Sequence, residues 1–161
     1  AMFETVESAT NDVILNSAPC RVINPGHDME CAWFMLEEAL HRNDRELAEF
    51  SACVFDEAFT RGWDEEFGGI LYFKDVLGMP VEAYEHDMKL WWPHNESLIA
   101  SLMLYRDTRD EKYLDWFYTI LDYCKEHHPE ILEGKTDAEL KCMEKTPLVN
   151  NEYGSFYRIH W

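Results

Sequence analysis

Apolar residues recur along this chain at the three- and four-residue spacing that turns one face of a helix toward a core. Met29, Ala32, Trp33, Leu36 and Leu40 form such a stripe and predict a helix over about 27–42, introduced by Pro25 and Gly26. Proline suits the first turn of a helix because the N–H it lacks would have no partner there. Leu47, Phe50, Val54 and Ala58 predict a second helix over about 45–61, which Asn43 and Asp44 separate from the first and Gly62 stops. A third, over about 93–106, carries Leu98, Ile99, Leu102 and Tyr105, and a fourth, over about 111–127, carries Leu114, Phe117, Leu121 and Cys124. The links at 43–44 and 107–110 are short, so each pair should fold as an antiparallel hairpin. The spacing is thus a repeat of helix pairs with little shared residue identity.

Elsewhere the period changes. Gly68 and Gly69, ahead of Ile70, Leu71, Tyr72 and Phe73, predict a turn and a short strand, a small β-hairpin near 63–75 at one end of the helices. Residues 2–24 are turn-rich and read as an irregular lead-in with a short strand near 13–15 or 21–23. Beyond 128 the pattern weakens: 130–145 is charged with a faint helical period, 147–151 is loop-like, and the chain closes on an aromatic run through Trp161. The expected fold class is all-α, with 2–161 as a single domain and 128–161 as a divergent tail.

The chain has 161 residues, 47% apolar and 14% aromatic, enough to bury a core. Its 14 basic and 32 acidic residues leave a net charge of −18, which argues against nucleic acid or an anionic membrane as a partner. A neutral or cationic ligand fits better, and most of those carboxylates read as a solvated surface. Five cysteines without CxxC spacing point to reduced thiols in a cytoplasmic protein rather than a disulfide framework. No basic-then-apolar leader opens the chain and no apolar run reaches membrane-spanning length, while Ala1 before Met2 reads as a cloning remnant.

Candidate chemistry gathers in two stretches, residues 24–34 and 89–96. Each sets a histidine and a carboxylate at the start of an apolar helix, beside tryptophans. The positive end of a helix dipole disfavours an imidazolium at His27, and a neutral ring can accept a proton, as a general base must. Glu30 lies one turn on, able to orient that ring or bind a hydroxyl, and Trp33 continues the same face. In the second stretch Pro93 starts the helix, His94 and Glu96 fall in its first turn, and Lys89 can pair with a carboxylate. Trp91 and Trp92 would point to opposite sides of an extended lead-in, one packing inward and one lining a cleft. A plainer reading stays open beside this one: both glutamates complement helix dipoles, Trp33 is core, and His27 is a satisfied polar group. His27, Glu30, His94 and Glu96 are eligible metal ligands, but neither HExxH nor paired-cysteine spacing is present, so no metal or other cofactor is expected.

Taken in order, NPGHxxExxWF at 24–34, GWDxExGG at 62–69 and KLWWPHxE at 89–96 resemble the N-acylglucosamine 2-epimerase family, akin to cellobiose 2-epimerases and aldose–ketose isomerases, over about residues 20–127. The resemblance implies an (α/α)6 barrel of helix hairpins around a central pocket, of which this chain would be the C-terminal half, a partial barrel. It implies interconversion of N-acetylglucosamine and N-acetylmannosamine, or of related sugars differing at C2. The ring opens, a base removes the C2 proton, an enediolate forms, and a second group returns a proton to the other face. On this resemblance His27 is one histidine of a facing pair and Glu96 and Glu30 hold hydroxyls or assist proton transfer. Trp33, Trp92, Lys89 and His94 join them as candidates for binding the sugar. His160 falls near the place of the second histidine, while a rival alignment sets residues 152–154 against an earlier segment and leaves that histidine out.

Members of the family are more than twice this length, and the helices bearing an arginine for the enediolate oxygen have no counterpart here. The expectation is therefore a fragment or truncated product with weak or no activity alone, self-associating, as a homodimer or otherwise, through uncovered helix faces. Two rivals remain: an α/α-barrel glycoside hydrolase using Glu96 with Asp64 or Glu30, and a non-catalytic helical remnant acting in self-association.

Overall fold

Four helices carry the fold in the computed structural model, which describes residues 2–128: α1 (Pro25–Arg42), α2 (Arg45–Gly62), α3 (Trp91–Thr108) and α4 (Glu111–His127). The expected tail beyond His128, with its faint helix at 130–145 and His160, lies outside the described residues. Both hairpins turn in the same way. Asn43 and Arg109 each adopt the left-handed conformation (φ 55° and 60°), closing the helix before them, and the following Asp44 and Asp110 cap the next helix with their side chains. Asparagine tolerates that conformation better than most residues. Arg45 bridges the two turns by pairing with Asp107 at 2.7 Å.

The predicted helices are present, and α3 starts earlier than expected, at Trp91 rather than Pro93. Pro93 then sits third in the helix, still among the first four positions whose N–H groups lack intrahelical partners, so it breaks nothing. Trp91 and Trp92 therefore diverge by about 100° around a helix rather than facing opposite ways on a strand. Trp91 is exposed and Trp92 half-buried.

α3 is the central helix, packed against both α1 and α4, while α2 packs along α1 and reaches α4 through side chains. Every residue from Pro93 to Leu104 is buried, polar ones included, so α3 is enclosed on all sides instead of showing a single apolar stripe. Ser97 and Ser101 meet that environment by donating to the His94 and Ser97 carbonyls one turn back. α2 turns its small and aromatic residues inward: Ala48, Ser51, Val54, Phe55, Ala58 and Phe59 are buried. Phe50, expected in the core, is exposed, because it faces away from both α1 and the aromatic cluster joining α2 to α4. In that cluster the Phe59 ring stacks on Trp116 at 4.3 Å and Phe55 lies 6.1 Å from Tyr113.

The β-structure is also arranged differently from the expected hairpin. Trp63 and Ile70 form only a single bridge, closing a tight turn across 64–69. The short strand β2 (Lys74–Asp75) pairs antiparallel with β1 (Val22–Ile23), the strand expected near 21–23, in the register Val22↔Asp75. Arg21 fixes this pairing through a 2.8 Å ion pair with Asp75. The sheet therefore ties the lead-in of α1 to the loop before α3. Among the described residues no helix is long and apolar enough to cross a membrane.

Candidate functional site

The starts of α1 and α3 abut. A Cβ at Gly26 would stand 2.7 Å from the Trp92 ring and 2.9 Å from Pro93 Cβ, so only glycine lets the two helices approach this closely. Behind Gly26, Pro25 lies against the C-terminal Gly62 of α2 with equally little room. Asn24 caps α1, its side-chain oxygen accepting from the His27 N–H at 3.2 Å. This packing brings the two sequence motifs together at one end of the helices.

Five of the predicted residues meet there. The His27 ring lies 5.2 Å from that of Trp92, and Tyr72 meets Trp92 edge-on. One turn farther in, the Trp33 indole N–H donates to Glu96 Oε2 at 2.7 Å, joining α1 to α3 inside the protein. Glu96 belongs to the second turn of α3 and is buried. Burial pushes its carboxyl above the usual carboxylate range, the hydrogen bond from Trp33 opposes that, and the negative charge of Glu30 adds to it. Glu30, half-buried on the His27 side of α1, thus shares an electrostatic environment with Glu96.

The lead-in closes one side. Nδ1 of His27 stands 3.0 Å from Oε1 of Glu4, and the Met2 N–H donates to Asp28 Oδ2 at 3.1 Å. Asp28 is fully buried, and burial pushes it up to about 6, with the Met2 hydrogen bond pulling the other way. Neither Glu4 nor Asp28 was singled out from sequence; Glu4 sits in a stretch without periodicity and carries no spacing that ties it to His27.

Two further predicted binding residues bond to the surrounding fold. His94 is fully buried, its Nδ1–H donating to the Leu90 carbonyl at 2.6 Å and its Nε2 accepting from the Ile70 N–H at 2.9 Å. Burial lowers it to about 4, and it stacks on Tyr123 at 4.9 Å as a neutral ring. With both nitrogens engaged, it anchors the 64–70 turn and has no polar edge left for a sugar. Lys89 does pair with a carboxylate: its Nζ lies 2.7 Å from Asp64 Oδ2. That hydrogen bond holds Asp64 below the usual range despite partial burial, and Asp64 also accepts from the N–H groups of Glu66 and Phe67. Asp64 is thus committed to its turn. Among the described residues no group of three or more His, Cys, Asp or Glu side chains is placed to hold a metal ion.

Residues 3–157 match the family described as N-acylglucosamine 2-epimerase (GlcNAc 2-epimerase). Over 104 residues the chain is 42% identical to N-acylglucosamine 2-epimerase of Rattus norvegicus and 44% identical to that of Bos taurus, a match taking up 62% of this chain and 24% of either relative. A D-mannose isomerase of Marinomonas mediterranea is 24% identical over 84% of this chain and 28% of its own length. Among solved structures, a D-mannose isomerase superposes with a TM-score of 0.59 at 27% identity, covering 65% of this chain and 26% of that one. A sugar epimerase from a ruminal bacterium, at a TM-score of 0.51 and 20% identity over 66% of this chain and 26% of its own, shares the fold. The matched stretch thus spans about a quarter of the length of these relatives.

Proposed function

Because the chain belongs to the N-acylglucosamine 2-epimerase family, we propose that the meeting point of α1 and α3 is one wall of a sugar 2-epimerisation site, with an N-acylglucosamine or N-acylmannosamine as substrate. The observation that carries this reading is the contact between the two motifs: His27 beside Trp92, and Trp33 bonded to Glu96. In the ring-opened sugar the C2 proton is acidic because it lies next to the C1 carbonyl. The His27 imidazole takes that proton, the C–H electron pair becomes the C1–C2 double bond, and the carbonyl π pair moves onto O1 to give the enolate, with the acylamino group still on C2. Proton return to the opposite face of C2 inverts it; in this reading the donor is His160 or a group from another part of the assembled barrel.

Glu96 suits a hydroxyl-binding or proton-assisting role, since burial and Glu30 both favour its protonated form. Glu30 is placed to hold a second hydroxyl, and Trp92, half-buried beside His27, offers a flat surface to the sugar. The hairpins α1–α2 and α3–α4 would be consecutive repeats of an (α/α)6 barrel. As the match spans about a quarter of each relative, the remaining wall must come from further sequence or from self-association, and the isolated chain should turn over weakly or not at all. The cysteine spacing supports a cytoplasmic setting.

The test is titration of the chain with N-acetylmannosamine, followed by tryptophan fluorescence, together with NMR detection of C2–H exchange in D2O. Saturable binding is expected, with any exchange abolished by His27→Asn and binding retained. Absence of both binding and exchange in the wild-type chain would refute the reading. Exchange that survives His27→Asn but is lost in Glu96→Gln would turn it toward carboxylate chemistry.

A further inference from the structure

His27 is half-exposed and stands at the edge of the site, yet its ring is held from two directions. The Trp92 ring stands 5.2 Å away, tilted by 31°, and Glu4 meets Nδ1 at 3.0 Å. A surface pair of this kind ordinarily adds about 0–1 kcal/mol to stability, so its consequence is to be sought in geometry. Glu4 is not carried on a free end. Its backbone N–H bonds to the Val22 carbonyl of β1 at 3.2 Å, Met2 is tied to Asp28 in the first turn of α1, and the Thr5 hydroxyl donates to the Pro19 carbonyl at 2.7 Å. Successive side chains of α1, His27 and Asp28, therefore grip residues 4 and 2 of a strap laid along β1. β1 itself is anchored on its other side by β2.

We infer that Glu4 is a positioning residue for His27, accepting the Nδ1–H so that Nε2 is the ring atom that receives the substrate proton. A carboxylate oxygen can only accept, so the neutral ring meeting it must carry its hydrogen on Nδ1. Free histidine favours the other tautomer, with the hydrogen on Nε2, which would leave no lone pair on the side away from Glu4. The hydrogen bond recorded for the His27 ring is the one at Nδ1, and the side chain as a whole is about half exposed. Trp92 and the Glu4 bond together limit rotation of the ring, so the lone pair keeps one direction, as proton abstraction requires. The assignment of Nε2 as the proton-accepting atom rests on the epimerase reading; the tautomer itself does not.

Nitrogen-15 NMR of the full chain labelled at histidine, above the pH at which the ring is protonated, reads the tautomer directly. His27→Asn identifies the His27 signals. The expected wild-type pattern is a protonated Nδ1 and an unprotonated Nε2. Loss of that pattern in favour of the Nε2–H form is expected in Glu4→Ala and Glu4→Lys, neither of which offers an acceptor. Glu4→Gln, whose amide oxygen can still accept, should keep the wild-type pattern, and circular dichroism checks that each variant is folded. A wild-type ring protonated on Nε2, or an unchanged tautomer in folded Glu4→Ala and Glu4→Lys, overturns the inference. Because this measurement needs no turnover, its failure leaves the sugar-binding and exchange results to speak separately.

Discussion

Replacement of His94 by phenylalanine isolates the contribution of one enclosed imidazole to this fold. Phenylalanine keeps the stack on Tyr123 but removes the acceptor for the Ile70 N–H and the donor to the Leu90 carbonyl. Leaving a buried donor or acceptor unpaired costs about 1–3 kcal/mol, and the Leu90 carbonyl is only partly buried, so a loss of roughly 2–5 kcal/mol is expected at neutral pH. The loss should depend on pH in a defined direction. The unfolded ring binds its proton below about 6.5, the folded one only near 4, so between those values the unfolded state holds more protons. Stability from His94 is therefore fully present above 6.5 and is lost as pH falls toward 4, by roughly 3 kcal/mol in all. Asp28 has the opposite sign: its pKa, raised to about 6, favours the folded state at low pH and loses that contribution as pH rises through 6. Asp28 is present in wild type and variant alike, so it cancels in their difference. Urea unfolding of both proteins, followed by tryptophan fluorescence from neutral pH down to about 4, should show a stability gap that narrows below 6.5. A gap of constant size across that range, or a variant as stable as wild type at neutral pH, would refute the reasoning.

Gly26→Ala puts a methyl group against Trp92 and Pro93, and should destabilise the protein by about 1–3 kcal/mol as α1 and α3 separate; a lowered urea midpoint with altered tryptophan emission checks it. Trp33→Phe keeps an aromatic ring in the core but leaves Glu96 without its indole donor. The Glu96 carboxyl should then move further above its usual range, visible in a carbon-13 NMR titration, with a stability loss of about 1–3 kcal/mol. An unmoved Glu96 titration would mean that the indole bond does not influence its charge.

The helices were legible because their signals are local. Stripes such as Met29, Ala32, Trp33 and Leu36, and turns such as Asn43-Asp44, act over one or two helical turns, and each appears where the spacing puts it. Local pattern misled where burial depended on neighbours. Phe50 looks like core from its spacing but has nothing packed over it, while polar Ser97 and Ser101 are enclosed because α3 lies between two other helices.

The site divides along the same line. Sequence put forward His27, Glu30, Trp33, Trp92 and Glu96 through two histidine–carboxylate helix starts flanked by tryptophan and through the family resemblance they carry. It could not separate these from His94 and Lys89, which share the second motif but are engaged by Ile70, Leu90 and Asp64. Trp33 meets Glu96 across 63 positions of sequence and Glu4 meets His27 across 23. Neither contact leaves a trace in local spacing, because each is set by how close Gly26 lets two helices come and by which strand holds the lead-in. Periodicity therefore determined the elements, motifs and the family resemblance they carry supplied the candidate residues, and tertiary packing decided which of those side chains face one another and which bond to the surrounding fold.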